Sequence, residues 1–260
     1  MKRLCISVLG LAISVSGAWA DDNCDAACQA ARKAQDPLAP VSAIFTDNTF
    51  TYDSNGGNGT ANYQIQPVYS IDFGETGHLI LRGVFNYNSV PSIGGDISGF
   101  SDSILQAFWV PSGKIGNLSY GFGPQVAIDT AEDPALSGLG NGLGLAAVAF
   151  GFAGDLSYGG ILGHIWGEND VDVTTIQPIV LYNTDFLGGS YFGYNNTIAY
   201  NWGAPSGSRW TVPLGLTLGK TWAQPNGGAI DASIGAYYLV EAPAGANETQ
   251  IKLGLSYIFP

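Results

Sequence analysis

The feature that most constrains the fold is an alternation of apolar and polar side chains at every second residue, sustained over runs of 11–14 residues. In 61–73, Tyr63, Ile65, Pro67, Tyr69, Ile71 and Phe73 share one face, and Asn62, Gln64, Gln66, Ser70 and Asp72 share the other. In 78–88, Leu79, Leu81, Phe85 and Tyr87 alternate with Arg82, Asn86 and Asn88. The pattern recurs around Leu118, Tyr120, Phe122, Val126 and Ile128, and again at the end through Ile251, Leu253, Leu255, Tyr257 and Phe259. A period of two is that of a β-strand with two unlike faces. Strands of soluble proteins average about 5–6 residues, whereas a tilted strand needs about 9–11 to cross a bilayer. The length of these runs therefore favours a membrane barrel over a soluble sandwich.

Composition supports this. Charged residues are 12% of the chain, about half the usual share for a soluble domain, while glycine is abundant and aromatics also reach 12%. No segment after the first twenty residues offers ~20 consecutive apolar residues for a membrane helix. A barrel that alternates lipid-facing with lumen-facing residues has this composition. Strands are expected at 41–53, 61–73, 78–89, 102–111, 117–128, 142–154, 155–167, 171–183, 189–202, 208–222, 228–241 and 248–259. Twelve is an even number, as single-chain bacterial barrels require. Connections after odd strands are mostly longer than those after even ones, which puts both chain ends on the periplasmic side, with 168–170 as an exception. Pro67, Pro124, Pro178 and Pro213 fall inside strands of a sheet without edges, so local bulges are expected there.

Residues 1–20 read as a signal peptide. Lys2 and Arg3 precede an apolar stretch, and Ala18-Trp19-Ala20 forms a cleavage site. Removing them leaves seven basic residues of the original nine against 21 acidic ones, a formal charge of −14. That balance argues against nucleic acid as a partner, since phosphate contacts need clustered Lys and Arg. Residues 21–40 form a separate periplasmic segment in which Asn23 to Gln35 suits a short helix ending before Asp36-Pro37. Cys24 and Cys28 suit a local disulfide in an oxidising compartment, with free or intermolecular thiols as the alternative and no completing set for a metal.

If the apolar faces meet lipid, then Gln66, Arg82, Asn86, Gln106, Gln125, Gln177, Asn195, Asp231, Tyr237 and Lys252 line the lumen. Arg82, Lys252 and Asp231 are expected to shape a constriction, or else to knit a narrow barrel shut. Leu253, Leu255, Tyr257 and Phe259 place alternate apolar residues at the C-terminus and form the expected assembly signal. Trp109, Trp202, Trp210, Tyr200 and Tyr257 suit interfacial girdles. Chemistry is sparse. Ser157 and His164 share a strand but lie seven residues apart, and Ser70 with His78 flank a turn without a motif. Gly138–Gly144 lacks the Lys-Ser/Thr ending of a phosphate loop, and the acidic pairs Glu132/Asp133 and Asp170/Asp172 suit solvated loops better than a divalent ion. No catalytic residue, metal or cofactor is expected.

Gln66-Pro67-Val68, Leu79-Ile80-Leu81-Arg82, Asp102 to Pro111, Gly121-Phe122-Gly123-Pro124, His164-Ile165-Trp166 and Gln177-Pro178 follow one another in this order. After them come the run Asn201 to Leu214, Gly219-Lys220, Gly235-Ala236-Tyr237-Tyr238 and a closing Ile258-Phe259-Pro260. Over some 200 residues this resembles a group of bacterial outer-membrane proteins often labelled "neuromedin U", although no neuropeptide is involved. The group is similar to barrels associated with phenol meta-pathway degradation. The resemblance implies an outer-membrane barrel active in transport, without a defined substrate, and residues 21–50 do not carry it clearly. The combined expectation is an all-β transmembrane up-and-down barrel over 41–260 in the bacterial outer membrane. It would be a channel or transporter for small neutral, weakly polar or aromatic solutes. Its partners would be outer-membrane lipid, lipopolysaccharide and the barrel assembly machinery. A non-conducting structural or adhesion barrel, or a lipid-modifying enzyme, is the alternative.

Overall fold

The computed structural model describes residues 25–53, 59–168 and 170–260. The leader at 1–20 and Cys24 lie outside them; Cys28 is disulfide-bonded. One helix, α1 (Ala26–Gln35), precedes fourteen strand segments. These are β1 (Ala43–Tyr52), β2 (Thr60–Asp72), β3 (Gly77–Val90), β4 (Ile97–Phe100), β5 (Ser103–Pro111), β6 (Leu118–Ile128) and β7 (Gly142–Ala153). They continue with β8 (Leu156–Gly167), β9 (Asp172–Thr184), β10 (Ser190–Asn195), β11 (Ile198–Asn201), β12 (Trp210–Ala223), β13 (Ala229–Glu241) and β14 (Thr249–Ile258). β4 and β5 both pair with β3, and β10 and β11 both lie between β9 and β12, so the fourteen segments make twelve staves. Each stave is antiparallel to its neighbours, and β1 pairs with β14 from Ala43↔Ile258 to Tyr52↔Thr249. The sheet is a closed twelve-stranded antiparallel barrel.

The alternation in sequence becomes the two sides of this wall. Phe122, Leu143, Leu145, Leu214, Leu216 and Leu255 are exposed on the outside. Inside, on the intervening positions, lie Gln66, Ile80, Phe108, Gln125, Val148, Ile179 and Asp231, all buried. Aromatic residues crowd both rims. Tyr200 lies edge-on between Trp202 and Trp210, at 4.7 and 4.6 Å, at the end carrying the longer loops. Phe73 with Trp109, and Tyr257 with Phe259, mark the other end. Two aromatic belts flanking an apolar band are what a bilayer requires of a barrel.

Of the four strand prolines, only Pro213 coincides with a register shift, between Val212 and Pro213. At Pro67, Pro124 and Pro178 the register is unbroken on both sides, so the bulges expected there are absent. Each residue of an antiparallel ladder sends its N–H to one neighbour only. A proline therefore silences one link on one side without requiring an extra residue. Opposite Pro178 the stave is interrupted between β10 and β11. Asn196, which the alternation would turn outward, is instead buried, and its Nδ2 donates to Oε1 of Gln250 at 2.6 Å.

The N-terminal segment contains a short helix, as the sequence suggested. Its helix is shorter than the span from Asn23, starting at Ala26 behind the cap Asp25, whose carboxylate accepts the N–H of Cys28. The segment enters the end of the barrel where the short turns lie. Leu38, 2% exposed, packs in one apolar cluster with Ile80, Phe108, Val110, Phe150, Ile179, Leu181 and Tyr191. Ser157 donates to Oε1 of Gln35 at 2.6 Å, Gln35 Nε2 donates to Oδ1 of Asn183 at 2.8 Å, and the Leu38 carbonyl lies 2.9 Å from Nε2 of His78. These partners come from well-separated staves, so the segment plugs the lumen rather than lying along one wall.

Candidate functional site

Inward-facing glycines decide how much of the lumen can be filled. A Cβ on Gly219 would fall 2.2 Å from the Tyr191 ring, and one on Gly163 would fall 3.1 Å from the Gln125 amide. Bulky inward side chains therefore lie over glycine on the next strand or the one beyond it. Tyr191 reaches Oδ1 of Asp231 at 2.9 Å, and Gln125 donates to the carbonyls of Leu145 and His164 at 3.2 and 3.1 Å.

Above the apolar cluster lies a polar layer. Arg82 donates through Nε and Nη2 to Oε1 of Gln66, at 3.2 and 2.5 Å, and through Nη1 to Oε1 of Gln106 at 3.3 Å. Gln106 Nε2 donates onward to Oε1 of Gln125 at 2.8 Å, and Gln66 Nε2 donates to Gln64. Gln64 and Asn62 both donate to Oδ1 of Asn86, at 2.8 and 3.2 Å. Beside this layer, Lys252 Nζ pairs with Oδ2 of Asp47 at 2.9 Å and lies 3.5 Å from the Asn195 carbonyl. Gln177 donates to Asn195 at 2.8 Å, and Tyr237 shares a 2.6 Å hydrogen bond with Thr217. Between the polar layer and the plug is a cavity of about 370 Å³, reached by Gln66, Arg82, Gln106, Gln177, Asn195, Asp231 and Lys252.

Of the ten residues read from the sequence as lumen-lining, seven border this cavity, and Asn86, Gln125 and Tyr237 are hydrogen-bonded to Gln64, Gln106 and Thr217 beside it. Arg82, Lys252 and Asp231, expected to shape a constriction or knit the barrel shut, all line this cavity but at different heights. In the β13–β14 register Asp231 faces Ser256 while Lys252 faces Gly235, four residues further along and about 13 Å away. Asp231 instead accepts from Tyr191 and, at 2.7 Å, from Thr221. Sequence reading missed the true partner of Lys252, Asp47, because β1 mixes Phe45 and Phe50 with threonines on both faces. It also missed Tyr191, whose inward position was signalled by Gly219 on the facing strand.

Of the serines and histidines weighed as a nucleophile and base, Ser157, His164 and His78 are engaged elsewhere, while the Ser70 hydroxyl is buried without a hydrogen-bond partner among the described residues. Ser157 and His164 lie on opposite faces, as an odd spacing on a strand dictates. His164 Nδ1 contacts Thr174 Oγ1 at 2.7 Å, and its Nε2 lies 3.1 Å from Asp172. His78 holds the plug. Outside the barrel mouth, Asp102, between β4 and β5, accepts the N–H groups of Gly138, Leu139 and Gly140 at 2.7–3.0 Å. The glycine-rich stretch weighed as a phosphate loop thus binds a carboxylate of the chain itself. Glu132 accepts the N–H of Phe100, and among the described residues no three metal-ligating side chains converge.

No family model matches the sequence, and no curated protein matches it. Solved structures do. An outer-membrane channel from Pseudomonas putida F1 is 16% identical, with a TM-score of 0.59 over 86% of this chain and 97% of that one. The outer-membrane phospholipase A of Escherichia coli is 13% identical, with a TM-score of 0.40 over 88% of this chain and 96% of that one. At these identities the first likeness concerns the fold, that of an outer-membrane barrel, and the second adds nothing to it.

Proposed function

We propose that this protein is a channel of the bacterial outer membrane, reached through the barrel assembly machinery and bedded in lipid and lipopolysaccharide. Its lumen is stoppered at the periplasmic end by residues 25–42. The observation that carries this reading is the cavity between plug and polar layer, walled by amides on one side and aliphatic side chains on the other. A wall covalently part of the barrel would need no such space. The plug, by contrast, is joined to the barrel only at β1 and can leave as a unit.

The solutes that suit the lining are small, neutral, and weakly polar or aromatic. Gln64, Gln66, Gln106, Gln177 and Asn195 make the polar part of the lining from neutral amides, and no arginine ladder lines the wall for polyanions. Cells producing the protein should take up small aromatic amides and alcohols faster than cells lacking it. Equal uptake at matched surface levels would sink the solute assignment. The filled periplasmic half favours a second reading, a non-conducting structural barrel. The apolar cluster around Leu38 is packed like a protein core, and a lumen closed for good would look the same in one state.

A further inference from the structure

We propose that the lumen cavity is a binding site for a small amphiphilic monocarboxylate, its carboxylate on Arg82 and its apolar part against the wall below. The inference rests on the transport reading, because it takes the cavity as a stopping point on the solute's path, and goes beyond it in giving one class of solute a negative charge.

Three observations carry it. The first is the pairing of the two cations. Lys252 pairs with Asp47 at 2.9 Å, and the same Asp47 is the acid that acts on Arg82, which among the described residues has no carboxylate within ion-pair distance, so two cations share one acid. Its three hydrogen bonds go to two neutral amide oxygens. A guanidinium has five N–H groups in a fixed fork that matches a carboxylate, so two donors remain for a ligand. The second is that the amides are already oriented. Gln66 spends its NH₂ on Gln64, and Gln106 spends its own on Gln125, so both turn oxygen toward Arg82 and hold the guanidinium flat. A neutral amide layer solvates a charge without cancelling it. In a lumen surrounded by lipid, an entering anion would cancel it.

The third is the shape and polarity of the rest of the cavity. Below Arg82 the wall turns apolar through Ile80 and Phe108, with Ile161 and Ile179 opposite. A cavity of about 150 Å³ accommodates benzene, so about 370 Å³ leaves room for a benzoate-sized acid and a little water. The cavity's remaining acids, Asp36 and Asp231, lie toward the plug. Asp36 accepts the N–H of Leu38 at 2.8 Å, and Asp231 is held by Tyr191 and Thr221. They repel a carboxylate from that end, while at the other end Arg82 and Lys252 share the single Asp47, which fixes the ligand's direction.

The test is isothermal titration calorimetry on the full mature chain in detergent, with benzoate and its neutral isostere benzamide at pH 7. Benzoate should bind at least about tenfold more tightly, the scale of a charge-assisted bidentate pair. Arg82→Gln should erase the preference, and Arg82→Lys should restore part of it. If Arg82→Gln does not give the folded, heat-modifiable band, Phe108→Trp, which fills the apolar floor, should weaken both ligands. The wild-type comparison decides in any case. Equal affinities, or no binding of benzoate, overturn the proposal. Binding of benzamide alone would also overturn it while leaving the transport of neutral solutes intact. Benzoate binding without any solute uptake would retain the site and dispose of the channel.

Discussion

Truncating Leu38 should release the plug. Its side chain is 2% exposed and surrounded by Ile80, Phe108, Val110, Phe150, Ile179 and Leu181, contributed by both sides of the lumen. Leucine-to-alanine changes at such sites cost about 2–5 kcal/mol, because the lost transfer energy is compounded by the cavity left behind. The barrel itself is held by closed β-ladders and does not depend on this contact, so the cost falls on docking of the segment. At about 1.4 kcal/mol per factor of ten, the undocked population of Leu38→Ala should rise about 30-fold or more. Arg32 and Lys33 lie in α1 and are trypsin sites that become cleavable when the helix leaves the barrel mouth. When opening and closing are fast relative to cleavage, the cleavage rate follows the open population. Release of the N-terminal piece, followed by intact mass at low trypsin, should therefore accelerate by that factor in Leu38→Ala. Equal rates in wild type and variant, with both barrels intact, would show that the segment is not held by this cluster.

The same docking should depend on pH. Burial pushes the Asp36 carboxyl up to about 6, outweighing the N–H of Leu38 and the charges of Lys114 and His78, which pull it down. The docked carboxyl therefore keeps its proton to higher pH than a released one near 3.8, so docking is strongest below that value, weakens as pH rises toward 6, and levels off beyond. Amide exchange of Ala26–Gln35, corrected for intrinsic rates, should show more protection at pH 4.5 than at pH 7, and Asp36→Asn should flatten the difference. Phe259, exposed beside Tyr257 at the rim, is expected to serve in assembly, so Phe259→Ser should lower the heat-modifiable fraction; normal assembly would place the signal elsewhere. Cysteines at Ala135 and Gly245 should label on intact cells and one at Glu75 should not; the opposite pattern would invert the barrel.

The staves were legible because each crosses the membrane with one face in lipid. Tyr63, Ile65 and Tyr69 had to alternate with Gln64, Gln66 and Ser70, and the observed strand ends fall within a residue or two of those read from the pattern. β4 was missed because Ile97–Phe100 is a short hairpin arm beyond the bilayer, where no lipid enforces alternation. The inner side was legible only as a set of inward residues. Which inward groups meet is set by register and by glycines on neighbouring strands, so the Lys252–Asp47 pair and the separation of Asp231 required the closed sheet. That residues 21–39 could plug the lumen was open from the sequence, but the contacts that dock them were not legible, for a related reason. Leu38 and Gln35 look like any linker residues until Phe150, Ser157 and Asn183 are brought around them from more than a hundred residues away.

Single-channel recording in planar bilayers tests the central claim most directly. The mature wild-type protein should remain closed for most of the record, with rare openings, and Leu38→Ala should open often to the same unitary conductance. Openings of equal frequency in both proteins would mean that the N-terminal segment is no gate. Silence from both, with each protein verified as a folded barrel, would contradict the channel and leave a barrel filled for structural ends.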